Sequence, residues 1–168
     1  MNFSFDIKIT EKDMYRFQLR QAYTGMQGWL AIALAVVMFV IAGATLETSE
    51  PFYTTIYVGA AIFFLLHIPI TLRLRAKTAI KTNPVFAEAL HYTFSEEGIK
   101  VVQGEEEALL TWDLVYKIVG TKEQVLVFSN RISAFILPRT QITEYYEQIK
   151  ELSTKKLEKY RVKFCKEK

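Results

Sequence analysis

The sequence predicts an α+β membrane protein: a two-helix transmembrane hairpin followed by an antiparallel sheet or small barrel that a C-terminal helix caps. Three observations carry this. No Asp, Glu, Lys or Arg occurs between Arg20 and Glu47, or between Glu50 and Arg73, and apolar side chains fill both gaps. Residues Asn2 to Ile9 alternate apolar with polar. Beyond Pro84 the chain becomes a series of short aromatic and β-branched runs separated by Gly, Asn and Ser, the pattern of closely spaced antiparallel strands.

The division expected is residues 1–27 as a strand and an amphipathic helix, 28–75 as the hairpin, and 84–168 as a soluble domain. The two spans cover about 28–46 and 52–72, since ~20 helical residues at ~1.5 Å each cross ~30 Å of hydrocarbon. Soluble cores rarely contain two charge-free runs of this length. The patterned polar sequence before the first run also argues against a signal peptide. Of the 168 residues, 51% are hydrophobic and 23% charged, which leaves enough chain outside the spans for one small domain. A single cysteine, Cys165, excludes an internal disulfide and suits a reducing compartment.

In the first segment Phe3, Phe5, Ile7 and Ile9 share one face of a strand, which needs partners from later sequence to satisfy its backbone. Thr10 precedes Glu11, Lys12 and Asp13, a helix start with a hydroxyl cap and early acidic residues. Met14 and Phe17 give that helix a short apolar face. It either lies on a membrane surface or packs on the soluble domain.

Basic residues set the expected orientation. Lys8, Lys12, Arg16 and Arg20 precede the first span and Arg73, Arg75, Lys77 and Lys81 follow the second. The connecting loop, around Glu47 to Pro51, has two glutamates and no Lys or Arg. Both termini are therefore expected in the cytoplasm. Small residues (Ala31, Ala35, Ala42, Gly43, Ala44, Gly59, Ala60, Ala61) allow close helix approach, within the hairpin or in a homo-oligomer. His67 and Pro69 form the candidate intramembrane polar site. An ionisable group in a span is a functional candidate. The plainer reading is a neutral imidazole near the carbonyl that Pro69 frees, because no Asp, Glu or second His lies in either span.

The strands expected are Ala89–Ser95, Ile99–Gln103, Glu107–Trp112, Leu114–Gly120, Gln124–Phe128 and Ile132–Leu137. A helix capped at Thr140 follows, with Ile142, Tyr145, Tyr146, Ile149 and Leu152 on one face. Its basic extension carries Lys155, Lys156, Lys159, Arg161 and Lys163. With Arg73 and Arg75 these are the candidate membrane-surface residues, facing anionic lipid at ~1 kcal/mol each, or else belonging to a solvated, frayed helix end. Trp112 is either a core anchor, the favoured reading, or part of a groove with Tyr116 and Phe135.

The runs HYTFSEEGIKV, LLTWDLVYKIV and AFILPR, with the Thr10–Glu11–Asp13 start and the two spans, resemble the YcxB-like family of small bacterial membrane proteins. The resemblance extends over the layout of the chain. It implies a pleckstrin-homology-like domain and a location in the bacterial cell membrane, and it brings no catalytic residues. No zinc spacing, Cys/His dyad or phosphate-binding glycine loop occurs, so no cofactor and no metal is expected; only the basic tail would favour nucleic acid, and in a membrane-bound protein none is expected. The reading is a non-enzymatic binding or scaffold protein, with the lipid bilayer, anionic lipids and a protein as partners. The alternative is a self-protection (immunity) protein against a toxin or bacteriocin.

Overall fold

A computed structural model describes residues 2–46, 51–86 and 88–165. The chain forms two compact units. One contains the residues up to Met14 and from Ile80 onward; the other is Tyr15–Ala79. The expected acidic loop at Glu47–Glu50 lies outside the described residues.

Helix α1 (Glu11–Thr24) begins in the strand-rich unit. The Thr10 hydroxyl donates to Asp13 Oδ2 at 2.6 Å. The Thr10 N–H donates to the same oxygen at 3.1 Å, and the Asp13 N–H returns to Thr10 Oγ1 at 3.3 Å. This reciprocal cap satisfies donors the helix cannot, and it explains why Asp13 is buried.

In the helical unit, α1 ends where Gly25 turns extended, and α2 (Met26–Thr45) follows at once. Helix α3 (Pro51–Thr82) continues through Pro69 and past Arg73 and Arg75, beyond the expected end of the hairpin, and stops before Asn83-Pro84. Both helices are long and apolar enough to cross a membrane. Within this unit the small residues separate into two groups. Ala35, Ala42 and Ala61 are buried, and the Thr45 and Thr54 hydroxyls meet at 3.1 Å. A Cβ added at Gly43 or Gly59 would meet nothing, so these two face outward.

Among the described residues the strand-rich unit holds eight strands. One sheet has the order β1 (Phe3–Ile7), β2 (Leu90–Phe94), β3 (Gly98–Gln103), β4 (Glu106–Thr111), all antiparallel. Register places Phe3, Phe94, Ile99 and Leu110 in one row and Phe5, Tyr92, Val101 and Ala108 in the next, so period two builds one apolar face. The N-terminal strand thus finds its partner in β2. Gln141 closes its edge further on: its side-chain amide exchanges two 2.9 Å bonds with the backbone of Lys8. At the tight β2–β3 turn, a Cβ on Gly98 would overlap the Leu110 carbonyl and sit 2.8 Å from Thr111 Cα, so only glycine fits.

A 3-10 turn at Trp112–Leu114 leads into the second sheet, ordered β7 (Ala134–Pro138), β6 (Gln124–Phe128), β5 (Lys117–Gly120), β8 (Val162–Phe164). Strand β6 is buried on both faces. Helix α4 (Tyr146–Lys156) buries Tyr146, Ile149 and Leu152. Just before it, Tyr145 stacks on Phe3 at 5.7 Å and on Phe5 at 5.2 Å.

Three expectations change. The strands form two open four-stranded sheets, and no closed barrel exists among the described residues. Thr140 does not cap α4. Residues 140–145 make successive turns, with Gln141 N–H donating to the Pro138 carbonyl and Tyr145 N–H to that of Ile142, and the helix starts at Tyr146. The basic extension is not a frayed helix either. Helix α4 ends at Lys156, and after a 3-10 turn at Lys159–Arg161 the chain becomes β8, parallel to β5.

Candidate functional site

Two surfaces hold the candidate residues. On the helical unit the apolar side chains of α2 and α3 point outward, among them Trp29 at 67% exposure, Val40 at 66% and Phe63 at 60%. His67 is exposed on the same helix, its ring 5.4 Å from that of Phe63 one turn earlier. Pro69, two residues on, leaves the carbonyl of Leu65 without its helical donor. Arg73 and Arg75 are exposed near the end of the apolar stretch.

The second surface belongs to the strand-rich unit. It is built by the basic residues that follow α4's apolar face, and these divide by what they touch. Lys156 reaches Glu96 at 2.5 Å and Lys155 lies 3.9 Å from the same carboxylate. Hydrogen bonding, that from Lys156 foremost, holds the Glu96 carboxyl down to about 2, and the charges of Lys155 and Lys156 add to it. Arg161 instead donates from Nε to the Tyr116 carbonyl at 3.1 Å and from Nη2 to the Val115 carbonyl. Its guanidinium fork therefore reads two successive backbone oxygens just ahead of β5. Lys159 and Lys163 are exposed.

Strand β8 continues from Arg161. Val162 pairs with Ile118, Lys163 with Val119 and Phe164 with Gly120, and the Cys165 N–H donates to the Gly120 carbonyl at 3.0 Å. A Cβ on Gly120 would overlap the Phe164 ring, so the glycine is what lets that ring lie across β5. Its other side meets Tyr146 edge-on at 5.8 Å, and Arg139 sits 4.0 Å over the Tyr146 ring. The result is a slot between β5 and the first turn of α4, filled by residues 161–164.

Trp112, Tyr116 and Phe135 are placed differently from one another. Trp112 is 6% exposed, donates from Nε1 to the Ser95 carbonyl at 3.0 Å and lies 6.4 Å from the Phe94 ring, which are core-anchor contacts. Phe135 meets Tyr92 edge-on at 6.2 Å. Tyr116 is exposed, with Lys117 5.7 Å from its ring. No ring contact joins any two of the three among the described residues. The roles of Arg161 and Gly120 were not legible beforehand, since an Arg in a basic run and one glycine of seven carry no distinguishing signal. On the outer face of the first sheet His91 Nδ1 meets Asp6 Oδ1 at 2.6 Å, tying β1 to β2. Among the described residues no group of three His, Cys, Asp or Glu could hold a metal ion.

The family model described as YcxB-like protein matches residues 94–153. No curated protein and no solved structure matches the chain. The matched stretch starts at the last residue of β2 and takes in β3 to β7 and most of α4. It leaves out β1, β8 and both apolar helices, a narrower extent than the resemblance in layout. On that match the chain carries a YcxB-like domain spanning Phe94 to Ser153.

Proposed function

We propose that this chain is a non-enzymatic, membrane-anchored binding or scaffold protein. In this reading α2 and α3 cross the bacterial cell membrane as a hairpin, both termini are cytoplasmic, and the strand-rich unit is tethered at the inner leaflet as a pleckstrin-homology-like module. The observation that carries it is the outward apolar surface of the hairpin. Only 17% of Gly28–Thr45 and 6% of Pro51–Thr82 is buried, whereas a soluble core helix hides its apolar side chains. The module reading is supported by a four-stranded sheet, a second antiparallel meander and a following helix in one unit. The inside placement is supported by basic residues at both ends of the hairpin. Exposed Arg73, Arg75, Lys159 and Lys163 are the residues left to meet anionic lipid, because Lys155, Lys156 and Arg161 have partners within the protein.

Fractionation tests the anchor. The protein is expected to stay in the membrane pellet through high salt and alkaline carbonate and to leave it only with detergent; release by carbonate would overturn the reading. Orientation is tested separately. Lys122, exposed in the β5–β6 turn, is expected to resist protease added to intact cells and to be cleaved in permeabilised ones.

A further inference from the structure

We propose that the β5 edge is a strand-accepting peptide site, filled in cis by residues 161–164, and that in trans it takes an extended peptide of the pattern Arg–apolar–any–aromatic. This deepens the binding-module reading and rests on it for the claim that a partner is bound; it is independent of the membrane anchor.

The segment is held the way a bound peptide is. Backbone pairing with β5 supplies sequence-independent attachment, and alternate side chains supply recognition. Arg161 forks onto two carbonyls, Val162 and Phe164 are half-buried, and Lys163 between them is exposed. Gly120 leaves room for an aromatic ring, and Tyr146 of α4 provides its far wall. A ligand is thus read at its first, second and fourth positions and is free at its third.

The same segment is short and peripheral. Among the described residues it pairs over three positions at the margin of the sheet, and Tyr160, beside Arg161, is 77% exposed. The YcxB-like match supplies an independent observation. It contains β5, Gly120 and Tyr146, the whole receiving wall, and stops at Ser153, before the segment that covers them. The receiving edge therefore lies within the matched stretch, and the segment covering it, the strap, lies beyond. Without the strap, β5 would present unpaired backbone groups, which extended chains complete.

The test uses a labelled synthetic peptide of residues 157–165, with Ser in place of Cys165, titrated against the full-length protein in detergent. The R161A/F164A protein, whose own strap is weakened, is expected to bind this peptide saturably. The unaltered protein should bind at least ~10-fold more weakly, because its tethered strap competes at high effective concentration. Peptides carrying the same Arg or Phe replacement should not bind. Absence of saturable binding to R161A/F164A, or equal binding of all peptides, would overturn the proposal.

Should the double substitution disrupt the sheet, hydrogen exchange of the unaltered protein decides. Backbone amides of residues 162–165 are expected to exchange ~100-fold faster than those of β6, through opening of the strap alone. Exchange of both at one common rate would overturn the proposal. Detergent binding reads the slot whatever the outcome of membrane fractionation, so the two failures are distinguishable.

Discussion

Replacing Trp112 should unfasten the corner between the two sheets. Trp112 opens the turn that joins β4 of one sheet to β5 of the other, and its side chain reaches back to the β2–β3 hairpin. It is 6% exposed, so Trp112→Ala removes a nearly buried indole and leaves a cavity, a change that costs about 3–5 kcal/mol. Loss of the Nε1–H bond to the Ser95 carbonyl adds about 0.5–1.5 kcal/mol. Trp112→Phe keeps most of the ring and loses the bond, so it should cost about 1–2 kcal/mol. Against a domain stability of about 5–15 kcal/mol, the alanine variant loses a large share. Hydrogen exchange of the full-length chain in detergent reads this directly. A loss of about 4 kcal/mol speeds exchange in β2, β3, β5 and β6 together by roughly a thousandfold. Acceleration below threefold would refute the anchor argument. Equal effects of the alanine and phenylalanine variants would refute the claim that packing, and not the single bond, carries most of the energy.

Three further outcomes are expected. Burial pushes the Tyr92 phenol upward, and its hydroxyl has no hydrogen-bond partner among the described residues, so Tyr92→Phe should stabilise the strand-rich unit by about 1 kcal/mol in denaturant unfolding, and destabilisation would show the hydroxyl is paired. Glu96 is held below its ordinary 4.5, at about 2, so it binds fewer protons folded than unfolded in that window; its contribution is complete above 4.5 and fades as pH falls toward 2. Unfolding measured across that range should therefore fall more steeply for the unaltered chain than for Glu96→Gln, and superimposable curves would remove the Lys156 pairing as a source of stability. Asp13→Ala breaks the reciprocal cap of α1 and should cost about 1–2 kcal/mol, read as faster amide exchange in the first turn; unchanged exchange there would contradict it.

The parts of the fold that were legible in the sequence are those in which one short-range pattern decides the structure. Strict alternation placed Phe3, Phe5 and Ile7 on one face, and QVLVF became a strand with the expected bounds because β-branched and aromatic residues left it no other use. The charge-free runs became helices of the right length. Strand β8 was hidden for physical reasons. Its three residues are too short to show a period, and basic residues flank and interrupt them. Its partner, β5, lies about 40 residues back in parallel, with no turn to announce the pairing. Leu157, Tyr160 and Phe164 fall at helical spacing, yet Leu157 is buried, Tyr160 is exposed and Phe164 lies over Gly120. The slot was unreadable for the same reason, since Arg161 acquires its meaning only when β8 brings it to the Val115 and Tyr116 carbonyls.

The pairing of Phe3–Ile7 with Leu90–Phe94 carries a constraint of parity. Everything between those strands leaves the sheet and must return to it, so the intervening chain can traverse a bilayer an even number of times and no other. In chain order the first strand precedes both apolar helices, and its partner β2 follows them. For the membrane hairpin proposed above, strand order would then check insertion: a molecule threading only one of the two helices would leave Phe3, Phe5 and Ile7 across the lipid from Tyr92 and Phe94, and its first sheet could not close.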